Sequence, residues 1–321
     1  MRQPCGCVAF GVDWFTLTSV SVVISVYSVD RANDVADCIA SVKKQTYPAK
    51  EIVVVLDPDD SLLAFYKERL DSDVKLVVSG SFGLSAARNM GIKNSSAEII
   101  AFIDDDAVAD SNWLKHLVSN FDDSSVIGVG GRIIPVWPGK DPVWFPEELY
   151  WIVGCSYKGL PMKRAPIRNP IGCNMAFRRS VLEEVGYFST VTGRVGNKLM
   201  GHDDTEFGIR ATSKLSGTTI IHDSNATVYH RVARNRVSFK YVLKRSYAEG
   251  FSKAVVVAKN NQANNSSLNT EKDYLRTLFL NTPSLLFQSN VMVGASQCGT
   301  LLVATVMVFL GYVAGLRFTK T

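Results

Sequence analysis

The chain is 321 residues long, with 46% hydrophobic and 20% charged side chains, a mean hydropathy of +0.08 and a formal net charge of +5. That composition is too apolar for a disordered chain and gives enough length for one large domain or two small ones. The charge is too mild to imply nucleic acid, and only one long uncharged run is present, at the C-terminus, which excludes a polytopic transporter.

Residues 1–17 form an extension that makes a poor signal peptide, because its apolar run is short and Asp13 interrupts it. Val20 to Val26 is a β-branched run of the kind that forms a strand buried on both faces. Asp30 to Lys44 then places Val35, Cys38, Ile39 and Val42 at helical spacing. Ile52 to Leu56 reads as a second buried strand, Leu62 to Leu70 as a short helix, and Val74 to Val78 as a third strand. Leu84 to Lys93 is a helix opened by Gly83, and Glu98 to Ile103 is a fourth strand. Strand and helix alternate at short intervals, so roughly the first 110 residues predict a parallel α/β layer.

Pro135 to Pro170 holds seven of the eleven prolines and three of the five tryptophans, and is expected to be an irregular region folded over a site. Short elements follow: a strand at Asn174 to Phe177, helices at Arg179 to Val185 and Asp203 to Leu215, and a strand or strand pair at Thr218 to Tyr229. Val237 to Ala258 is a basic amphipathic helix, followed by a polar linker at Asn260 to Ser267. From Arg231 to Asn260 there are eight Lys/Arg against Glu249 alone, which suggests an anionic membrane surface or a phosphorylated partner. Val291 to Leu316 contains no charged residue and fits a single membrane span, with residues 317–321 as a tail; a buried core helix is the alternative. Positive charge before the span favours a cytoplasmic catalytic domain. The six cysteines contain no C-x-x-C pair, which argues against a zinc site and for a reducing compartment.

Asp104, Asp105 and Asp106 directly follow the fourth strand, at the sheet edge where ligands of open α/β sheets bind. Three adjacent carboxylates repel one another; Mg²⁺ or Mn²⁺ would offset that and could hold a diphosphate. The same triplet in isolation is equally an acidic turn capping the helix near Ser111. Asp57 ends the second strand at the same edge and could accept an N–H from a uracil ring, since Asp59 or Asp60 better fits the helix N-cap. Gly83 allows close backbone approach, and Arg88, one turn into its helix, could neutralise phosphate. Neither a dinucleotide fingerprint nor a phosphate-binding P-loop is present, which disfavours a dehydrogenase or a phosphoryl transferase.

The order VSVVISVY, EIVVVLD, GLSAARNMGI, EIIAFIDDD, then GCNMAFRR and GHDDTEFGIR, resembles family 2 glycosyltransferases of the GT-A fold over roughly Thr18 to Arg236. That resemblance implies a Rossmann-like nucleotide-binding sheet continuous with a smaller acceptor-side sheet. It implies that Tyr27 and Asp57 contact uridine, that Asp104 and Asp105 contact ribose or sugar, and that Asp106 binds the metal. Asp204 would be the general base of an inverting transfer, taking the acceptor's proton on the face opposite the leaving UDP. Asn174, His202 and Asp203 would touch acceptor or donor sugar, and His230 would be a further metal or diphosphate ligand. For Asp203 and Asp204, charge favoured by a helix N-terminus remains the plainer alternative. Asp203 stands where the family often has Glu, and no Gln-x-x-Arg-Trp segment is present, which favours single addition over polymer synthesis.

The C-terminal anchor and Arg245 to Ala254 (RSYAEGFSKA) are similar to archaeal glycosyltransferases that extend dolichyl-phosphate-linked glycans. The partners implied are a UDP-sugar, with glucuronate favoured, and a lipid-phosphate-linked sugar acceptor at the membrane. A carboxylated sugar would need a cation, for which Arg132, Arg168, Arg178 and Arg194 are candidates; Arg231, Arg234 and Arg236 could meet the lipid phosphate. Other hexosyl transfer into a cell-surface polysaccharide is an alternative. A non-catalytic nucleotide-binding scaffold is a different class of answer, and would require a damaged site.

Overall fold

The computed structural model describes residues 18–190, 201–259, 274, 276–278, 285 and 290–319. The N-terminal extension, Arg194 and the polar linker lie outside the described residues. Strands β1 (Val20–Val26), β2 (Glu51–Leu56), β3 (Val74–Val78) and β4 (Ile99–Asp104) pair in parallel, with β1 between β2 and β4. Helices α1 (Ala32–Lys43), α2 (Asp60–Lys67) and α3 (Leu84–Asn94) make the crossovers. Asp59 caps α2, its carboxylate accepting from the Ser61 and Leu62 N–H groups.

The sheet continues past β4 with reversed strands. β8 (Asn174–Arg178) lies antiparallel between β4 and β6 (Val126–Val136), and β9 (Thr219–Arg231) runs parallel to β6. β5 (Ala107–Ala109) and β7 (Ala165–Ile167) pair with β9, completing a nine-stranded mixed sheet. Thr218 to Tyr229 is therefore one long strand. The sequence pattern does not indicate β5, β6 or β7, the last lying inside the proline-rich segment. β6 carries Gly128, Gly130 and Gly131, whose lack of side chains hides it from a β-branched pattern. The packing requires all three: a Cβ on Gly128 would strike the Phe177 ring, one on Gly130 would meet Pro170 Cβ at 2.7 Å, and one on Gly131 would strike the Ala226 carbonyl.

Each face of the sheet has its own core. Val20, Val22, Ile24 and Val54 pack with α1, α2 and α4 (Trp113–Ser119). Val23, Val53, Val55 and Phe102 pack with α3, α5 (Arg179–Val185) and α6 (Asp203–Lys214) through Ile92, Leu182 and Phe207. The alternation of β-branched residues thus serves two apolar layers.

The basic helix is α7 (Phe239–Lys259), and the apolar C-terminal helix is α8 (Val291–Phe318). They run side by side with glycines at the contact: a Cβ on Gly311 would fall 2.0 Å from the Tyr247 carbonyl oxygen, and one on Gly250 would strike the Val308 carbonyl. α8 is long and apolar enough to cross a membrane, and Leu302, Phe309 and Leu310 are exposed on it.

On the other side of the molecule, a Cβ on Gly91 of α3 would fall 2.3 Å from Val23 Cγ1. The stiff Val23 side chain in a two-layer core leaves little room for adjustment. Gly91→Ala is expected to cost about 1–3 kcal/mol, read as a lowered urea midpoint on the detergent-solubilised chain.

Candidate active site

The parallel strands β1, β2 and β4 end at one rim, where Ser25 pairs with Asp104. The chain then turns sharply, because β5 must pair with β9, and Ala107 comes opposite His230. That turn places Asp105 and Asp106 below the surface, each under 5% exposed. The Arg231 N–H donates to the Asp106 carbonyl at 2.9 Å and fixes the two segments together.

Two cations meet Asp105 and Asp106. Arg31 Nη1 donates to Asp105 Oδ1 at 2.5 Å and to Asp106 Oδ2 at 2.8 Å, and His230 Nε2 lies 3.2 Å from Asp106 Oδ1. The other ring nitrogen of His230 is 3.5 Å from Cys155 Sγ. Burial opposes ionisation of Asp106, but His230 and Arg31 more than offset it and hold this carboxyl below its usual range. Burial and then the Asp106 charge push Asp105 up to about 7, against Arg31. Burial alone would lower His230; Asp106 and Cys155 instead keep it well above the ordinary histidine value. Arg31 had no signal in the sequence. It ends the short 3₁₀ turn Val29–Arg31 that precedes α1, and its guanidinium stacks 4.7 Å over the Tyr27 ring.

The cleft in front of the triplet is lined by Tyr27, Asp57, Gly83 and Asp104–Asp106, and by Trp151–Gly154 from the proline-rich segment. Gly83 has φ +116°, a conformation that favours glycine, and its N–H donates to Asp57 Oδ1 at 3.2 Å. Burial raises the Asp57 carboxyl, opposed by that hydrogen bond. The segment from β9 into α7 supplies His230, Arg236, Tyr241 and Arg245 to the same cleft.

As for a metal, ligand atoms of Asp104, Cys173 and His230 all lie within 4.8 Å of one another, and Asp105 Oδ2 is buried without a hydrogen-bond partner. Oxygen and imidazole donors suit Mn²⁺ or Mg²⁺. Burial, with the charges of Asp104 and Asp106, keeps the Cys173 thiol protonated, so the hard donors are the carboxylates. The residues present therefore fit a divalent cation.

The second acidic cluster joins the first through Arg88. Its guanidinium donates to Asp203 Oδ2 at 3.0 Å, reaches Asp104 Oδ1 at 3.5 Å and donates to the Gly172 carbonyl at 2.9 Å. Asp204 Oδ2 accepts from the Gly172 N–H at 3.0 Å, and its Oδ1 from the Thr205 N–H at 2.6 Å. Burial and then Asp203 push the Asp204 carboxyl up to about 6, against Arg88.

Several expected contacts need correction. Arg88 is not a phosphate ligand, because it is buried and committed to Asp203 and Asp104. Asp203 is not a sugar contact: it is 4% exposed and its Oδ2 accepts from Ser85 Oγ and Arg88. Asn174 is fully buried. It accepts from Trp113 Nε1 at 2.8 Å and donates to the carbonyls of Arg132 and Ala226, locking β8 to β6 and β9. His202 faces Glu249 of α7 at 3.4 Å rather than the cleft. Arg178 is spent on the carbonyls of Val126, Phe121 and Asp123, and Arg231 on Asp34 and Asp37.

Comparison with known proteins decides the family. The model for "Glycosyl transferase family 2" matches residues 21–186. The chain belongs to glycosyltransferase family 2. This glycosyltransferase is 31% identical over 301 residues to the glucosyl-dolichyl phosphate glucuronosyltransferase of Haloferax volcanii, covering 92% of this chain and 96% of that relative. Among solved structures it is similar to a Pyrobaculum calidifontis mannosyltransferase in complex with GDP-Man and Mn²⁺ (TM-score 0.54, 16% identity, 90% of this chain and 86% of that one). It is also similar to S. aureus TarS 1–349 (TM-score 0.52, 15% identity, 94% and 90%). The fold is GT-A.

Asn174→Ala in the glycosyltransferase would leave a buried indole N–H and two carbonyls without their partner. The expected loss is about 2 kcal/mol or more of folding stability, with nucleotide affinity unchanged. Urea unfolding and nucleotide titration on the same preparation check it.

Proposed function

We propose that the chain is a membrane-anchored, inverting, metal-dependent transferase that moves a sugar, glucuronate favoured, from UDP to a lipid-phosphate-linked glycan. The observation that carries this reading is a shared guanidinium in a family 2 chain: Arg88 pairs with Asp104 at the end of β4 and with Asp203 at the start of α6, next to Asp204. The relative from Haloferax volcanii, similar along nearly its whole length, supports the donor and acceptor classes. The apolar helix α8 supports a membrane anchor, and the basic residues before it favour a catalytic domain on the cytoplasmic side.

In this reading uracil lies against Tyr27 with its N–H on Asp57, and Gly83 lets the backbone approach the nucleotide. Asp104 and Asp105 hold ribose and sugar hydroxyls. Asp106 and Asp104, with His230 once its proton is released, would hold Mn²⁺ or Mg²⁺, which would supply positive charge to a departing diphosphate. Arg31 keeps Asp105 and Asp106 together in a buried turn where their repulsion would otherwise open it. Asp204 takes the proton of the acceptor hydroxyl while that oxygen forms its bond to the anomeric carbon. The bond from that carbon to UDP breaks on the opposite face, so configuration inverts. A base near 6 is ionised at neutral pH and still able to accept a proton.

Asp204→Asn is expected to reduce transfer at least about a thousandfold and to leave UDP binding intact, as followed by calorimetry and product chromatography. Full turnover by that variant would remove Asp204 as base. Asp106→Asn is expected to abolish metal-dependent UDP binding, tested by titration with Mn²⁺ and with chelator. Because the base works ionised and its folded pKa is raised to about 6, kcat/KM should fall as pH drops through that value, by about tenfold per unit. The Asp204→Asn variant should lack that limb.

A further inference from the structure

One wall of the cleft is basic and comes from the segment running from β9 into α7; its Arg236 also helps hold Asp106 ionised. Arg236 ends the 3₁₀ turn Arg234–Arg236, and Arg245 lies in the first half of α7; both face the cleft along with Tyr241. The Arg245 side chain is only 18% exposed and sits 6.0 Å over the Trp151 ring. Glu249 holds its Nη1 at 2.8 Å.

That carboxylate does not balance the wall. Glu249 is also 3.5 Å from Lys253, so its one negative charge is shared between two cations, and it faces His202 at 3.4 Å, an imidazole whose burial disfavours the charged form. Burial would raise the Glu249 carboxyl, yet His202, Arg245 and Lys253 bring it down to about 2, so it stays ionised. Arg236 has no ion pair among the described residues. The other arginines at this rim are occupied: Arg31 by Asp105 and Asp106, Arg231 by Asp34 and Asp37. Half-buried guanidinium groups without a matching anion are costly. Their planar donors fit phosphate oxygens.

The placement of the wall selects which phosphate. The nucleotide contacts Tyr27, Asp57 and Gly83 come from the ends of β1 and β2 and the start of α3. Arg245 comes from α7, which is seated on α8 through Gly250 and Gly311. Both groups line one cleft, but the second is joined to the apolar helix α8, beside which an anion carried on a lipid would arrive.

We propose that Arg236 and Arg245 bind the phosphate of the lipid-linked acceptor, with Glu249 orienting Arg245. The assignment rests on the transferase reading above, and a binding measurement tests it independently of turnover. Trp151 beneath Arg245 serves as a fluorescence reporter for titrating the full-length chain, in detergent, with a short polyprenyl phosphate and with the corresponding polyprenol. Wild type is expected to prefer the phosphate. Arg236→Gln and Arg245→Gln should each weaken phosphate binding at least about tenfold. Polyprenol binding, UDP affinity with Mn²⁺ and thermal midpoint should stay unchanged, and Arg245→Lys should recover part of the loss. In transfer assays the same variants should raise KM for a polyprenyl-phosphate-linked sugar but not for that sugar on an octyl aglycone.

Equal affinity of wild type for phosphate and alcohol would overturn the proposal. So would an unchanged phosphate affinity in both Gln variants, or a loss confined to UDP. A wild-type chain that binds polyprenyl phosphate but transfers no sugar from any UDP donor would sink the transferase reading and leave the phosphate site standing.

Discussion

Carboxylates gathered at the carboxyl ends of neighbouring strands repel one another, and the rest of the site is arranged to offset that repulsion. Asp105 and Asp106 are taken below the surface, where screening by water is weak. The fold answers with Arg31 from the turn before α1, His230 from β9 and Arg88 from α3, three elements far apart in the chain. The compensation is uneven. Asp106, next to two cations, stays ionised, while Asp105 bears the cost of burial and is pushed up to about 7. A divalent cation entering the cleft would meet a site with both negative charge and an unsatisfied oxygen, Asp105 Oδ2.

The same bookkeeping separates residues that do chemistry from residues that hold them. Arg88 looks like a substrate ligand by type, but its three contacts make it a bolt between β4, the turn before β8 and the start of α6. Asp203 and Asp204 are adjacent in sequence yet have divided the work. Asp203 closes on Arg88 and Ser85, and Asp204 is held by N–H groups of Gly172 and Thr205. The helix-terminal contact falls to Asp204, which accepts the Thr205 N–H and is also the proposed base, while Asp203 is committed to α3.

What the sequence disclosed, and what it hid, follows from how local the signal is. The first four strands are continuous β-branched runs and the acidic triplet abuts one of them, so their edge could be placed without coordinates. β6 was hidden because its glycines answer to Phe177, Asn174 and Ala226, which only the folded sheet brings near. Arg31 is an ordinary charged residue at a helix start; its meaning depends on Asp105 and Asp106, more than seventy positions away. Asn174 was misread for the opposite reason: a polar residue inside a motif suggested a ligand, whereas its three partners all belong to the sheet's own seam. Arg245 was lost among the other basic residues of α7, since charge counting does not tell which of them turns inward.

The glycine-lined contact between α7 and α8 has a practical corollary. Deleting the chain from residue 291 onward is the obvious way to obtain a form that dissolves without detergent. Here that cut would strip the groove around Gly250 and Ala254 of its cover and slacken the helix bearing Arg245 and Glu249. The C-terminal helix is a buttress as much as a tether, and a shortened enzyme would lose rigidity on one bank of its own catalytic channel.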